Sequence, residues 1–586
     1  MTTATTSAAV NLPSGWPAIG LAAAHAQLTA PGERFEMEAV TVGGVQMRTW
    51  KNQPPSLRDL FLIARGFNNR EFLVYEDDRI TYAAFALAVL KLAEELQLQG
   101  IRKGDRIAIV MRNFPEWPVA FFAAAICGAV ATPLNAWWTG EELEYAFRDS
   151  GATIAIVDGE RYSRISGHLE NCPDLVRVYV VRAADEVSHH LIRHLEDLIG
   201  PPGSWAKLSD RPLPNVVLEP EDDATIFYTS GTTGKPKGAL GTQRNILTNI
   251  ATISLVNARV LLRRGEPAPP PHPDDPPKIG LLVVPFFHVT GCSATLIPAT
   301  FFGHKLVLMR KWDAEKALQL IERERCTSAG GVPAIAWQLI EHPARSKYDL
   351  SSLDTVSYGG APSAPELVRR IKEAFPQVKV GNGWGMTETS AAFCGNQGED
   401  YVNRPDSCGP ASPVAEIRIM SLDGSHELPI GEVGELWAKG PQIIKGYWNN
   451  PEATANTFVA GWVKTGDLAR VDAEGFCFIV DRAKDILIRG GENIYCIQVE
   501  SVLYEHPAVM DAAIVGIAHR TLGEEPGAVV YLKPGMQATE EELRTFVATK
   551  LAAFEVPVKV KFWPEPLPRN PAGKILKKEL KPVFVE

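Results

Sequence analysis

The chain has 586 residues, of which 45% are hydrophobic and 22% charged. That balance belongs to a folded protein with a large core and excludes a disordered or collagen-like chain, and the length calls for more than one domain. Lys and Arg number 59 against 69 Asp and Glu, a net charge of −10, so no basic field draws the chain to nucleic acid or to anionic lipid.

The longest apolar run, Trp117 to Ala131, falls short of the about 20 residues of a membrane span and reads as a buried helix. Met1 to Pro13 is small and polar, without the basic start and apolar stretch of a signal peptide. Eight cysteines are scattered with no CxxC pair; the closest two, Cys394 and Cys408, are fourteen apart. That spacing gives neither a disulfide framework nor a zinc ribbon and fits a reducing compartment. A cytoplasmic protein without a transmembrane segment is expected, and a homodimer stays open.

In chain order, short apolar runs alternate with helical patterns. Arg106 to Met111, Ala152 to Val157, Val176 to Val181, Ala224 to Thr229 and Ile279 to Pro285 read as strands. Lys305 to Met309 leads into a helix beginning near Asp313. Leu353 to Tyr358 leads into another, with a predicted capping box at Ser363 and Glu366. Strand, crossover helix and strand make a parallel, doubly wound sheet, whose ligands sit at the carboxyl ends of strands. Glu266 to Lys278 holds seven prolines and is predicted to be a surface excursion. Short strands with glycine turns from Gly409 to about Phe478 suggest a barrel-like β region. A further unit begins near Lys484, with strands at Ala512 to Val515, Gly527 to Leu532 and Val558 to Phe562, and a helix capped by Thr539 and Glu542. The first fifty residues carry no readable motif.

The sharpest chemical signal is Tyr228-Thr-Ser-Gly-Thr-Thr-Gly-Lys-Pro-Lys-Gly238. It follows a strand and joins four Ser and Thr hydroxyls, three glycines and two lysines, a composition suited to an anion nest. It is not a Walker A loop: the glycines are too close, and Pro236 stands where Ser or Thr should follow the lysine.

This string resembles the signature of the adenylate-forming enzymes, which include acyl-CoA synthetases, plant coumarate ligases, luciferase and the adenylation domains of peptide synthetases. Other segments resemble that superfamily's motifs in the same order: Pro285-Phe-Phe-His288, Gly359-Gly-Ala-Pro362, Gly383-Trp-Gly-Met-Thr-Glu388, Trp462-Val-Lys-Thr-Gly-Asp467, Asp481-Arg-Ala-Lys-Asp485 and Pro568-Arg-Asn-Pro-Ala-Gly-Lys574. The resemblance runs from about Thr81 to the C-terminus. It implies a carboxylic acid activated by ATP to an acyl-AMP, with pyrophosphate released, and then transferred to the thiol of coenzyme A.

The roles follow from the resemblance residue by residue. ATP or AMP would meet Thr229, Ser230, Gly231, Thr232, Thr233, Gly234 and Lys235 in the phosphate loop, then Gly360, Ala361 and Pro362. The next stretch runs through Asn382, Gly383, Trp384 on the adenine face, Gly385, Met386 and Thr387 at the α-phosphate. Asp467 would take the ribose hydroxyls with Arg482 nearby. His288, Val289, Gly359 and Gly383 would hold the acyl group, and Glu388 with Thr229 would hold Mg²⁺, a hard ion suited to oxygen ligands. Lys574, His288, Thr387 and Glu388 would be catalytic. Lys484 would be the hinge on which the small domain turns to present Gly490 and Gly491 to CoA.

The fold implied is α/β: a large domain of doubly wound sheets with a β-barrel-like subdomain over 1–483, its first 55 residues an unread extension. A small mobile α+β domain follows over 484–586. Gln243, Cys496 and Glu555 depart from the superfamily's usual histidine, proline and lysine. Phe286-Phe287-His288 lacks the aspartate that holds an amino acid's ammonium, so an amino acid is not expected. The Gly490-to-Glu500 stretch and Gly440-Pro-x-x-x-Lys-Gly-Tyr447 resemble fatty-acyl-CoA synthetases, which implies a medium- or long-chain fatty acid first and an aryl or branched acid second. A non-catalytic nucleotide- or acyl-binding protein is the alternative of another class.

Overall fold

The computed structural model describes residues 12, 15–183, 189–229, 235–272, 275–570 and 573–585. Most of the Met1–Pro13 segment and Ser230–Gly234 of the phosphate loop lie outside the described residues.

Two eight-stranded sheets carry the large domain. In one, Arg106–Val110 lies between Val130–Pro133 and Ala152–Asp158, all parallel, and Asp223–Tyr228 forms a hairpin with Gly238–Thr242. In the other, Ile279–Leu282, Lys305–Leu308, Ser328–Gly331, Thr355–Gly359 and Lys379–Met386 run parallel. Helices Tyr82–Leu98 and Glu116–Ile126 fill the space between the sheets, in one cluster with Ile107, Ile109, Leu282, Leu306 and Leu308. Every residue of Glu116–Ile126 is buried, as the apolar run from Trp117 predicts. Parallel strands covered on both faces explain why these segments read as continuous apolar runs.

The 21-residue helix Gln243–Arg263 is long and apolar enough to cross a membrane. Here it is a core element: Leu247, Ile250 and Leu255 are buried with Asn245, Asn249, Arg259 and Arg263, and Arg263 pairs with the buried Asp400 at 2.7 Å. The unread N-terminal segment folds against it. Helix Leu21–Leu28 and hairpin Met37–Val42/Val45–Trp50 bring Leu28, Phe35 and Trp50 onto Leu255 and Ala258.

The β region is a five-stranded antiparallel sheet that includes Gly434–Lys439, Trp462–Val471 and Cys477–Arg482. The C-terminal unit has its own five-stranded sheet and its own core around Val499, Ile514, Val530 and Leu543. Its helix Glu540–Ala548 carries the capping box of Thr539 and Glu542. Its contacts with the large domain include three that fix its docking. Trp337 stacks on Tyr504 with centroids 6.4 Å apart, Lys533 reaches Glu341 at 3.5 Å, and Gly573 lies against Val332. A β-carbon on Gly573 would fall 2.6 Å from that side chain, at a φ of +79°, so only glycine lets the loop come this close.

One local expectation is corrected. Helix Pro365–Ala374 is capped at Ala364, with no side-chain bond: Pro365 already occupies the helix's first position, which moves the cap one residue past Ser363. The proline-rich segment is irregular and exposed, as predicted, and Pro269, Pro270, Pro271, Pro276, Pro277 and Lys278 also line the large cavity.

Candidate active site

Strand after strand delivers its next residues to one place. Asp223–Tyr228 ends at Thr229, whose N–H donates to the Lys237 carbonyl at 2.9 Å and closes the base of the phosphate loop. Ile279–Leu282 leads to His288, Thr355–Gly359 to Gly360, and Lys379–Met386 to Thr387 and Glu388. A cavity of about 1240 Å³ opens there, at the carboxyl ends of the parallel strands where doubly wound sheets bind ligands.

Thr229, His288, Val289, Gly359, Gly360, Asn382, Gly383, Trp384, Gly385, Met386, Thr387, Glu388, Arg482, Lys484 and Lys574 all line it. Asp467 lies just behind, buried, and accepts the Trp384 indole N–H at 2.8 Å and the Arg482 Nε at 3.2 Å. Lys235, Ala361 and Pro362 are not in the lining; the Lys235 ammonium sits over the Tyr145 ring at 4.6 Å. Gly490 and Gly491 form the tip of the hairpin Leu487–Arg489/Glu492–Ile494, at φ of +60° and +96°, and they too stay outside the cavity.

Glu388 is buried and its Oε1 accepts the Tyr447 hydroxyl at 2.6 Å. Burial and the Glu388 carboxylate together push the Tyr447 phenol well up. Gly385 is required beside it, since a β-carbon would land 1.6 Å from the Ala391 carbonyl oxygen. His288 caps the short helix Val289–Gly291: its Nδ1 accepts the Thr290 N–H at 3.2 Å. With Nδ1 used as an acceptor, a neutral ring carries its proton on Nε2. Burial, with Lys574 adding to it, brings the imidazole down to about 4.

Lys574 comes from the small domain. Its N–H donates to Asn570 Oδ1 at 3.0 Å, fixing the loop. Burial brings its ammonium down to about 8; Arg482 and Lys484 work in the same direction, while Asp467 and Glu388 oppose them. The lysine therefore shares its surroundings with groups from the second large sheet and from the β region.

Sequence reasoning missed Tyr447, Lys237 and Asn570. All lie inside readable strings, but their contacts with Glu388, with the Tyr447 ring at 5.0 Å and with Lys574 join distant or looped segments. The departures also have local explanations. Gln243 Oε1 accepts the Leu57 N–H at 2.9 Å, Cys496 Sγ donates to the Asp485 carbonyl at 3.1 Å, and the buried Glu555 accepts the Ala552 N–H at 3.0 Å. Glu555 thus serves its own loop.

A strand-end cavity completed by a lysine from a second domain is the plan of an enzyme that activates a carboxylate through an adenylate. Residues 61–448 match the family model of the AMP-binding enzymes and residues 498–574 that of the AMP-binding enzyme C-terminal domain, and the chain belongs to this family. It is 34% identical to 4-coumarate–CoA ligase 1 of Solanum tuberosum over 523 residues, covering 88% of this chain and 91% of that one. It is 32% identical to the long-chain-fatty-acid–CoA ligase of Bacillus subtilis over 542 residues, covering 88% and 92%. Among solved structures it superposes on the anthranilate CoA ligase AuaEII bound to anthranoyl-AMP with a TM-score of 0.79 at 25% identity, covering 90% of this chain and 97% of that one. The protein is an AMP-forming acid–thiol ligase that uses ATP and CoA, which sets aside a non-catalytic binding protein.

Proposed function

We propose that the acid is an apolar aliphatic one, a medium- or long-chain fatty acid. The observation that carries this reading is the wall beyond His288, where Phe67, Val256, Leu261, Leu281, Phe301 and Leu306 line the same cavity. At about 1240 Å³ it exceeds the about 300–1,000 Å³ of ordinary ligand pockets, room for a nucleotide and a chain together. An aryl acid is the second reading, favoured by the 34% identity to a 4-coumarate ligase. The test is a panel of octanoate, dodecanoate, hexadecanoate and 4-coumarate with ATP and CoA. The expected result is a kcat/KM for the best aliphatic acid at least about tenfold above that for 4-coumarate, about 1.4 kcal/mol in barrier; the reverse order overturns the reading.

The residue roles rest on the same site. The Lys574 ammonium bridges the acid carboxylate and the α-phosphate, offsetting repulsion between two anions as they meet. Thr387 donates to the α-phosphate, the neutral His288 flanks the carboxylate, and Thr229 with the phosphate loop receives the triphosphate. Trp384 covers the adenine, and Asp467 takes the ribose. A carboxylate offers about four lone-pair sites, so Trp384 and Arg482 leave two for hydroxyls. The Glu388 carboxylate and Thr229 hydroxyl are hard oxygen donors and fit Mg²⁺, which when bound neutralises phosphate charge. Once acyl-AMP has formed, the small domain turns about Lys484 and brings Gly490 and Gly491 to the thioester step. The closed loop at Gly573 and the hairpin held outside the cavity support the present pose as the adenylating one. The boundary between the two moving parts falls at 483/484.

A further inference from the structure

Three cysteines far apart in sequence meet in the core. Cys394 lies on strand Ala391–Gln397, directly across from Trp384, and Cys477 opens the strand that ends at Arg482. Cys408 joins them because its N–H donates to the Cys477 carbonyl at 3.0 Å, and Gly409 bridges to Cys477 on the next residue. All three are buried and in the free thiol form, and their sulfurs lie within 4.8 Å of one another.

Three sulfurs around an ion at about 2.3 Å stand about 4.0 Å apart, since trigonal geometry multiplies the bond length by √3. The cluster has room for that triangle, whereas a disulfide would need about 2.05 Å between two sulfurs. Thiolates select soft ions such as Cu(I) over Mg²⁺ or Ca²⁺. Structural zinc takes four ligands, and among the described residues no further His, Asp, Glu or Cys joins the group. Cys394 also lines the substrate cavity, which gives an ion a way in.

We propose that Cys394, Cys408 and Cys477 form a trigonal site for one soft d¹⁰ ion of the Cu(I) class, behind the adenine face. On binding, S–H bonds give way to three sulfur–metal bonds and the protons leave to solvent; the ion keeps its oxidation state.

The test uses the reduced full-length protein, titrated without oxygen with Cu(I) buffered by bathocuproine disulfonate. The expected result is one tightly held Cu(I) per chain, with X-ray absorption showing three sulfur neighbours. Cys394→Ser and Cys477→Ser should each weaken binding by about 100-fold or more, beyond the loss of a merely supporting residue. Replacing Cys127, Cys172, Cys292, Cys326 and Cys496 together with alanine should leave it unchanged. Two sulfur neighbours, no ion held against the chelator, or undiminished binding in a Cys394→Ser/Cys477→Ser chain overturns the proposal. Should the serine variants fail to fold, the sulfur count in the unaltered protein decides alone.

Discussion

The Trp384 indole N–H donates to Asp467 Oδ2 at 2.8 Å, and Arg482 holds Oδ1 of the same carboxylate at 3.2 Å. The Trp384 ring and the Asp467 carboxylate, proposed to meet the adenine and the ribose, are therefore one unit, built from the second large sheet and from the β region. Both bonds are charge-assisted, the stronger kind.

Trp384→Phe keeps an aromatic face and removes the donor. A hydrogen bond to a charged group contributes about 1.5–3 kcal/mol. The KM for ATP should rise by roughly tenfold or more while kcat for acyl-AMP formation stays within a few-fold. Initial-rate kinetics in ATP check this; a KM equal to that of the unaltered enzyme would contradict the coupling.

Tyr447→Phe addresses Glu388 in the same way. The phenol fixes Oε1 at 2.6 Å and leaves Oε2 for other work. Without it the carboxylate gains rotamer freedom, so the Mg²⁺ concentration for half-maximal rate should rise by about tenfold, as for loss of a supporting group at a metal site. Titrating Mg²⁺ at saturating ATP measures this, and Glu388→Gln should cut the adenylation rate by about 10²-fold or more.

The pH dependence follows from Lys574, whose ammonium burial and neighbouring cations bring down to about 8. Below that pH the group is fully charged, and it loses its proton as pH rises through it. Since kcat/KM reports groups of the free enzyme, its value for acyl-AMP formation should fall about tenfold per pH unit above about 8. Thioester formation from supplied acyl-AMP should show no such limb. Lys574→Arg, with a guanidinium that stays charged, should lose the limb even if its rate is lower.

Elements that follow a fixed local period are legible in the amino-acid sequence. Parallel strands such as Arg106–Val110 and Ile279–Leu282 are buried on both faces and show as apolar runs, and the capping box of Thr539 and Glu542 is local chemistry. The site residues are legible only through the order of their motifs, because Thr229, His288, Glu388 and Lys574 look ordinary one at a time. What stays hidden depends on chain segments meeting. Tyr447 and Glu388 are 59 residues apart, and the Cys394, Cys408 and Cys477 sulfurs have no spacing rule that announces them. The N-terminal hairpin is hidden because its anchors, Phe35 and Trp50, are single aromatics whose partners lie on helix Gln243–Arg263.

The hinge is tested at Lys484, which lines the cavity and whose ammonium burial and Arg482 bring down. A hinge absorbs a large change in φ and ψ at a few residues, and proline fixes φ near −65° while restricting Ala483 before it. Lys484→Pro should hold one orientation, so that one half-reaction stays within a few-fold and the other falls by about 10²-fold, about 2.7 kcal/mol in barrier. A folded variant, checked by thermal melt, with both rates unchanged or equally reduced would count against the hinge.

In the proposed mechanism one cavity makes the adenylate with a lysine brought in by the small domain, and the lysine then leaves. Single-turnover measurement of both half-reactions in Lys574→Ala tests it most directly. Acyl-AMP formation from dodecanoate and ATP should fall by about 10²-fold or more, the scale of losing one electrostatic stabiliser, while supplied dodecanoyl-AMP and CoA should still give thioester at a near-normal rate. Equal loss in both steps would mean that Lys574 serves the fold or both poses, and would contradict the account.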